Sequence, residues 1–479
     1  MQTLKTPLSS KVYKNVNEIQ ISDQSALLVD GYLDETQGTV KRPGLELAVD
    51  LGLGDNVGID GIYYWTHKQK LVAVAGGKPY FITYDSGSGI YTTATIASAD
   101  TLASDVKVTF ATNGTYLFMA NGGRILYTDG TATLQYIADA QCPTTVSHVA
   151  FLDGYILANS ASAGDTQKFF FSDPVDPLLW DALDFASAVG DGDKLSAIHV
   201  FNREIHLFGP KSTEVWENDG QSPFSRLPNG FYSIGCIAPN SIINTRASII
   251  WLDDTRHFVE VTSGGGVEFL ESGYEKEIQG FGVVADCTSD RIEINGKPFL
   301  VFHFPTENKT LAYDYRQKEW AEWRKYISAS SYDRWYGNCY AYSGDWGQHL
   351  VGARHNSLIY RMSPDYLSDA GETIRMYRRT GHLDYGTSKN KKVTELRLRA
   401  KRGGNEIVGG GSMMLRWKDD NKSWSNEVSI GLGDTGDAEI VTRIFPMGIY
   451  RTRQYEVSVS DNVAAIYLDA EEDIEVLSR

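Results

Sequence analysis

Short runs of apolar residues recur at a nearly regular spacing along the first three quarters of the chain. Seven runs begin 39 to 50 residues apart, and this spacing is typical of the four-stranded blades of a propeller. Each run is short and rich in β-branched, aromatic or other large apolar residues, which indicates a buried β-strand. The runs lie at residues 71–74, 116–119, 155–158, 205–208, 249–252, 299–302 and 349–351.

A turn and a second strand-like segment follow each run, so each repeat predicts a hairpin. Gly76-Gly77 and Asn121-Gly122 are examples of the turn residues, which are of the kind that joins antiparallel strands. The strand cores are apolar on both faces, as expected for blades packed between two neighbours. The pattern predicts an all-β fold, a β-propeller of six or seven blades, whose last blade the N-terminal segment could complete by strand exchange.

The pattern changes from about Gly371 onward. A glycine-rich stretch spans residues 403–411, and strand-like alternation resumes at 413–417, 439–442 and 455–459. These segments predict a smaller, sandwich-like C-terminal β-domain. We therefore expect three parts: an N-terminal segment at 1–50 that can close the propeller, the β-propeller at 51–368, and the C-terminal β-domain at 369–479. The acidic tail at 469–475 either frays or docks on this domain.

Composition narrows the classes of function. The formal charge of −16 argues against extensive binding to nucleic acid, because neutralising phosphates requires clustered Lys and Arg. Four cysteines are scattered without CxxC spacing, which predicts reduced core thiols and no disulfide scaffold. The first residues lack the pattern of a signal peptide, and no apolar run is long enough to span a bilayer. We expect a protein without a membrane anchor that folds in a cytoplasm.

Motifs that would indicate catalysis or cofactor binding are weak. Residues 431–436 spell GxGxxG, but a strand-like segment follows instead of the helix that a dinucleotide site requires. The closest histidine pairs, His199/His206 and His349/His355, lack the spacing of a metal site. A GxSxG elbow is absent, and the 61 acidic residues single out no glycosidase pair. The sequence predicts no catalytic site, no cofactor and no metal.

A basic segment is the charge feature of most interest. Residues 375–402 hold ten Lys or Arg against two acids, a local charge of +8. We expect these side chains either to form a solvated strand face or to contact an acidic partner surface, or DNA transiently. Basic and aromatic residues also alternate at 320–336, where blade core is favoured over an interface. The candidate contacts are Arg375, Arg378, Arg379, Lys389, Lys391, Lys392, Arg397, Arg399, Lys401 and Arg402.

Several segments between residues 28 and 325 resemble one family. Its N-terminal signature is similar to Val29-Asp30-Gly31-Tyr32 and to TVKRPGL at 39–45, and its middle is similar to SDP at 172–174 with WDALDF at 180–185. LFGPKSTEVW at 207–216, IGCIAP at 234–239 and Trp251-Leu252 complete the set. These segments resemble the packaged-DNA stabilisation proteins of short-tailed bacteriophages, the tail hub or nozzle of P22-like phages.

The resemblance implies a structural virion protein made in the bacterial cytoplasm. Such proteins form a ring, a hexamer, below the portal and its adaptor. They help retain the packaged double-stranded DNA, form the channel for its ejection, and provide attachment sites for tailspikes or tail fibres and the tail needle. The family has no catalytic residues to transfer to this sequence.

Two other classes of function remain open at this stage. The first is a propeller that binds a glycan or receptor through loops on one face, which exposed aromatic residues on one rim would indicate. The second is a glycosidase, which a convergent cluster of carboxylates at the propeller axis would indicate.

Overall fold

The computed structural model shows a ring of seven sheets joined to a two-layer β-sandwich. It describes residues 2–6, 27–34, 38–96, 100–131, 133–188, 190, 192–220, 224–271, 273–328, 331–402, 411–433 and 439–478. Short helical turns lie at Thr66–Lys68 and Pro239–Ser241, and an α-helix at Glu275–Gly280. None of the helices in these ranges is long and apolar enough to cross a bilayer.

The ring consists of seven four-stranded antiparallel blades, which confirms the predicted propeller. Each of the seven apolar runs found in the sequence forms the second strand of one blade. The strands of blades 1 to 3 are Ile59–Trp65, Lys70–Ala75, Lys78–Asp85 and Ile90–Thr95; Thr109–Thr112, Leu117–Ala120, Leu126–Thr128 and Gln135–Tyr136; and Val149–Leu152, Tyr155–Asn159, Lys168–Ser172 and Trp180–Ser187. Those of blades 4 to 6 are Ala197–Phe201, Glu204–Phe208, Thr213–Glu217 and Ser225–Tyr232; Ile243–Asn244, Ser248–Leu252, Phe258–Thr262 and Val267–Phe269; and Thr288–Ile294, Lys297–Phe304, Lys309–Asp314 and Glu319–Glu322.

Blade 7 is completed by a strand from the other end of the chain. Gly337–Ser343, Gln348–Ala353 and Asn356–Ser363 pair in sequence order, and the N-terminal strand Gly44–Asp55 adds to the last of them. Val49 lies opposite Ile359 in this antiparallel pair. The strand exchange expected from the sequence is therefore present, and it fixes the number of blades at seven.

A hydrophobic cluster fills each interface between neighbouring blades. In the cluster between blade 7 and blade 1, Ile59 and Leu71 pack with Leu350 and Ile359, and all four side chains are fully buried. Equivalent clusters lie between the other six pairs of neighbours. Burial of one such side chain stabilises the fold by about 1.5–3 kcal/mol. This double-sided burial explains why the strand cores are apolar on both faces.

Tight turns connect the strands within a blade. In blade 6, Asn295 and Gly296 both adopt positive φ, 51° and 73°, between Thr288–Ile294 and Lys297–Phe304. Positive φ at both central residues is the requirement of a type I′ turn, whose twist matches that of the flanking strands. The Asn-Gly dipeptide therefore fixes the register of this hairpin.

The sandwich consists of two sheets around one hydrophobic core. Its core includes the fully buried side chains of Leu396, Leu398, Met413 and Tyr455. One sheet contains Gln2–Thr6, Gly31–Asp34, Gly38–Lys41, Lys391–Arg402, Ile440–Ile444, Ile449–Tyr450 and Ala465–Val476. The other contains Leu27–Val29, Met376–Arg379, Ser412–Asp419, Val428–Gly431 and Arg453–Val459.

One short strand joins the sandwich to the ring. Leu27–Val29 pairs in parallel with the outer strand of blade 6 at Glu322 and antiparallel with Met376–Arg379. Blade 6 and one sandwich sheet thus form a continuous nine-stranded sheet. The N-terminal segment supplies strands both to the ring and to the sandwich. Three further short pieces lie near this junction, namely the hairpin Arg324–Ser328 with Ser331–Arg334, and the strands Ser368–Asp369 and Glu372–Thr373.

Candidate functional site

The residues considered for catalysis do not assemble into a reactive site in the described part of the chain. His199 and His206 face each other across two strands of blade 4, and the Nδ1 atom of His349 lies 2.7 Å from the hydroxyl oxygen of Tyr340. In the described ranges, no group of three or more His, Cys, Asp or Glu residues has the arrangement of a metal site. Gly431 ends a strand, and residues 434–436 of the GxGxxG stretch lie outside the described residues.

The four cysteines are buried thiols, as expected from the sequence. Burial raises the pKa of Cys142 and of Cys236 to about 12. A thiol with so high a pKa is protonated at neutral pH and is therefore a poor nucleophile.

The basic segment forms two strands, and its ten candidate side chains fall into three groups. Lys389, Lys392 and Lys401 are exposed. Arg375, Arg379, Arg397 and Arg399 are half-buried, and Arg378 and Lys391 are buried. The side chain of Arg402 lies outside the described part of the structure.

The burial of two of these residues corrects the expectation that they present their charge to a partner. Arg378 is 2% exposed, and its Nη1 atom lies 3.9 Å from Oε2 of the buried Glu319. The ammonium of Lys391 donates to the carbonyl oxygens of Thr387 and Lys389 at 2.7 and 2.9 Å. Glu319 and the two carbonyl oxygens therefore compensate these charges within the chain, and such compensation is needed since an unpaired charge is costly to bury.

The arginines of the second basic strand are neutralised by the acidic tail, which docks as the strand Ala465–Val476. Arg397 donates to both carboxylate oxygens of Asp473, at 3.1 and 3.0 Å. Arg399 makes the same kind of two-point contact with Asp469. Much of the local charge of +8 is therefore balanced within the sandwich, whereas Lys389, Lys392 and Lys401 are exposed.

Arg375 and Arg379 lie together where the sandwich meets the ring. Arg379 donates from Nε and Nη2 to Oε2 of Glu456, at 2.9 and 2.7 Å. Tyr377 lies between these arginines in the sequence, and its hydroxyl accepts a bond from Arg324 at 3.0 Å. Two separate features of the sequence, the basic segment and the aromatic-basic segment at 320–336, thus meet at this junction.

The remaining residues of the aromatic-basic segment are mostly core, as favoured from the sequence. Trp320, Trp323, Arg334 and Trp335 are at most 6% exposed. Tyr326 and Tyr336 are half-buried. The packed tryptophans fix the outer edge of blade 6 against the entry to blade 7.

A buried ion cluster at the junction was not singled out from the sequence. Arg42 donates from Nε to Asp30 at 2.7 Å and from Nη1 and Nη2 to Asp369 at 2.9 and 2.5 Å. The backbone N–H of Arg324 also donates to Asp30, at 2.9 Å. Burial raises the pKa of Asp30 to about 6, although Arg42 lowers it. Asp30 and Arg42 both lie in the segments that carry the family resemblance, which was the available signal for this cluster.

The seven blades close into a β-propeller, and where it meets the sandwich Arg42, Arg324 and Arg379 are paired with carboxylates. Residues 16–367 match the phage stabilisation family described as Bacteriophage P22 Gp10, beta-propeller. The chain belongs to this family of phage structural proteins. This confirms the resemblance found in the sequence.

The solved structures that are similar to this chain have low sequence identity to it. The extracellular domain of the one-component system BT4673 from B. thetaiotaomicron is 10% identical with a TM-score of 0.44, and the match covers 92% of this chain and 62% of that one. The N-terminal domain of Nup159 is 11% identical with a TM-score of 0.43, and the match covers 71% of this chain and 99% of that one. The chain thus spans less than two thirds of the length of the first of these structures. Among curated proteins, none matches this sequence.

Proposed function

We propose that the protein is the tail hub, or nozzle, of a short-tailed phage, and that it acts by binding and without covalent chemistry. Membership of the phage family carries this proposal. The fold supports it, because a closed ring of blades offers broad lateral surfaces on a rigid frame. In this proposal the protein is a component of the virion, is assembled in the bacterial cytoplasm, and needs no cofactor.

We propose that copies of the chain form a ring, a hexamer, below the portal and its adaptor. Head-to-tail contacts between identical subunits close into a ring when the rotation between neighbours permits it. Exposed apolar side chains on the outer part of blade 3 support a lateral protein contact: Val175 is 91%, Leu179 54% and Leu183 82% exposed. Clustered exposed apolar residues are typical of protein interfaces.

The assembled ring would retain the packaged DNA and later serve as the channel for its ejection. The net charge of −16 supports a conduit that does not grip the duplex, because like charges repel the phosphates. We propose that acidic residues line this channel. A map of the electrostatic potential in the assembled ring would contradict this point if the lumen were basic. Tailspikes or tail fibres and the tail needle would bind on the outer surfaces of the ring.

Ring formation would be templated by the portal and adaptor, since a shared platform raises the effective concentration of neighbouring subunits. We expect the isolated protein to remain monomeric at micromolar concentration and to form rings when portal–adaptor complexes are added. Mass photometry measures both states. Stable rings without the adaptor would contradict templating, and absence of this chain from purified particles in cryo-EM maps would overturn the proposed function.

One substitution tests the lateral contact. Leu183→Asp, on the exposed part of blade 3, should reduce ring formation on the platform while leaving the fold of the monomer intact. The matched control is Ile90→Asp in blade 1, where the side chain is 61% exposed. If the two variants form rings equally well, blade 3 is not part of the lateral interface.

A further inference from the structure

A small cavity lies between the sandwich and the outer edge of blade 6, and we name it the junction pocket. Its volume is about 80 Å³, which corresponds to the space of a few water molecules at about 10–15 Å³ each. Its walls are polar and rich in arginine and tyrosine, and they include Arg324, Arg375, Arg379, Arg416, Tyr332 and Glu456.

The arginines reach the pocket because of strand alternation. Arg375, Tyr377 and Arg379 lie at every second position, so they share one face, while Met376 and Arg378 are buried on the other. Across the neighbouring strands, Glu456 lies opposite Arg379 on one side and Arg416 on the other. Three adjacent strands thus place arginine, glutamate and arginine in one row.

Glu456 satisfies only part of this positive charge. Arg379 bonds its Oε2 atom, and Arg416 Nη2 lies 2.6 Å from Oε1. Arg375 lies farther away, with Nη2 4.0 Å from Oε1 of Glu456 and 3.7 Å from Glu427. Within the described ranges, no acceptor is within hydrogen-bonding distance of the Arg375 guanidinium, and the buried Nε of Arg416 has no partner. In Arg324, by contrast, each of the three guanidinium nitrogens donates a hydrogen bond, to Glu322 or to Tyr377.

Unused guanidinium donors in a recess indicate an acceptor from outside. A guanidinium can only donate hydrogen bonds, and its planar fork fits carboxylates and phosphates at two points. The side chains of Arg375, Arg379 and Arg416 are 15%, 28% and 27% exposed, so they lie in a recess and not on an open surface. The phosphates of a rigid duplex are contacted by side chains on an exposed surface, whereas one carboxylate side chain fits a cavity of this size.

We infer that the junction pocket is a binding site for the carboxylate of an acidic side chain from a protein partner. Arg375 and Nε of Arg416 donate to the incoming carboxylate, and Glu456 holds Arg379 and the Nη2 atom of Arg416 in place. Tyr332 marks the open side of the pocket. Its side chain is 46% exposed, and the centroid of its ring lies 3.8 Å from Cζ of Arg324. This inference does not depend on the tail-hub proposal, because the binding is a property of the single chain.

The test uses the full chain and a short acidic peptide, Ac-Gly-Glu-Asp-Glu-Gly-NH₂, in isothermal titration calorimetry. The control peptide replaces the acids with Gln and Asn. We expect the acidic peptide to bind at millimolar or lower concentration and at least about tenfold more tightly than the control, because charge-assisted hydrogen bonds are about twice as strong as neutral ones. Arg375→Gln should weaken that binding at least about tenfold.

Two further variants keep the test decisive. Glu456→Gln removes the internal negative charge that competes for the arginines but keeps an amide oxygen that can accept from Arg379. It should therefore strengthen peptide binding, which distinguishes a binding role from a merely structural one. Arg203→Gln is the matched control, because Arg203 pairs with Asp153 on the exposed surface of the ring and its side chain is 79% exposed. Thermal unfolding of each variant shows whether it is folded.

Three results would overturn the inference. The first is no peptide binding by the native chain, and the second is equal binding by Arg375→Gln and the native chain. The third is tighter binding of inorganic phosphate with no binding of the acidic peptide, which would assign the pocket to a free anion and not to a protein partner.

Discussion

Arg42 and Asp369 form an ion pair across the junction of the ring and the sandwich, with Nη2 and Oδ2 2.5 Å apart and both side chains buried. The two residues are 327 positions apart in the chain. Arg42 also bonds Asp30 and the carbonyl oxygen of Arg324. One guanidinium therefore connects the N-terminal segment, the edge of blade 6 and the segment that follows blade 7.

Removal of this guanidinium should be strongly destabilising. Arg42→Met would leave the carboxylates of Asp30 and Asp369 buried without their partner, and the loss of one member of a buried ion pair costs about 3–5 kcal/mol. Urea denaturation measures the change in the free energy of unfolding. Arg203→Met, which breaks an exposed pair, is the control and should cost at most about 1 kcal/mol. Similar losses in the two variants would contradict the central role of Arg42.

The closing strand of blade 7 offers one buried and one exposed apolar side chain for substitution. Val49 is 5% exposed and packs in the cluster between blade 7 and blade 1, whereas Leu47 is 50% exposed. Val49→Asp places a carboxylate in an apolar cluster and should lower the free energy of unfolding by at least about 3 kcal/mol. Leu47→Asp should change it by less than about 1 kcal/mol. Equal midpoints in chemical denaturation would show that the closing strand does not support the ring.

The buried and exposed members of the basic segment should behave differently. Arg378→Gln removes a buried charge beside Glu319 and should cost at least about 2 kcal/mol. Lys392→Gln removes an exposed charge and should stay within about 0.5 kcal/mol. Thermal and chemical unfolding of both variants measures the difference. If the Arg378→Gln protein is as stable as the native one, the charge is not needed inside the fold, and Arg378 is again a candidate for contact with a partner.

Buried histidine should make the stability depend on pH. Burial lowers the pKa of His148 to about 4 from 6.5, so below pH 6.5 the unfolded chain binds a proton that the folded chain does not. The folded state therefore loses stability as the pH falls from about 6.5 to 4. Between pH 7 and pH 5 this residue should contribute a loss of about 2 kcal/mol.

His148→Gln should remove that part of the pH dependence, measured as the change in urea midpoint between the two pH values. Asp30 acts in the opposite sense, because its raised pKa makes the folded state bind a proton below about pH 6. The comparison of variant with native protein isolates the contribution of the histidine. An identical pH dependence in both proteins would mean that His148 is protonated in the folded state.

The repeated strand cores could be predicted from the sequence because each blade contains a hairpin between consecutive strands. The second strand of each blade is buried, so it appears as an apolar run. The strand Lys70–Ala75 illustrates this: Leu71, Val72 and Val74 are all fully buried, as their unbroken apolar run indicates. The long-range pairs were harder to see. Val29 meets Glu322 through a single parallel bridge, and a short strand gives no register signal of its own.

Whether a basic side chain is paired or exposed depends on contacts between strands that are far apart in the sequence. Arg397 and Arg399 alternate with the buried Leu396, Leu398 and Ala400, and the acids of the tail alternate in the same way on the partner strand. The alternation of arginines on one strand and of acidic residues on the other could therefore have predicted that these side chains pair. The burial of Arg378 had a weaker signal, namely that it shares a face with Met376.

The pairing of Gly44–Asp55 with Asn356–Ser363 has a consequence for synthesis of the protein on the ribosome. Glu46 and its partner Arg361 are separated by 315 positions, so the early strand waits on the order of tens of seconds for the late one at ordinary rates of translation. Ring closure is therefore among the last events, after nearly all blades have emerged. A prematurely terminated chain lacks the acceptor strand, so its N-terminal strand stays unpaired and its ring stays open.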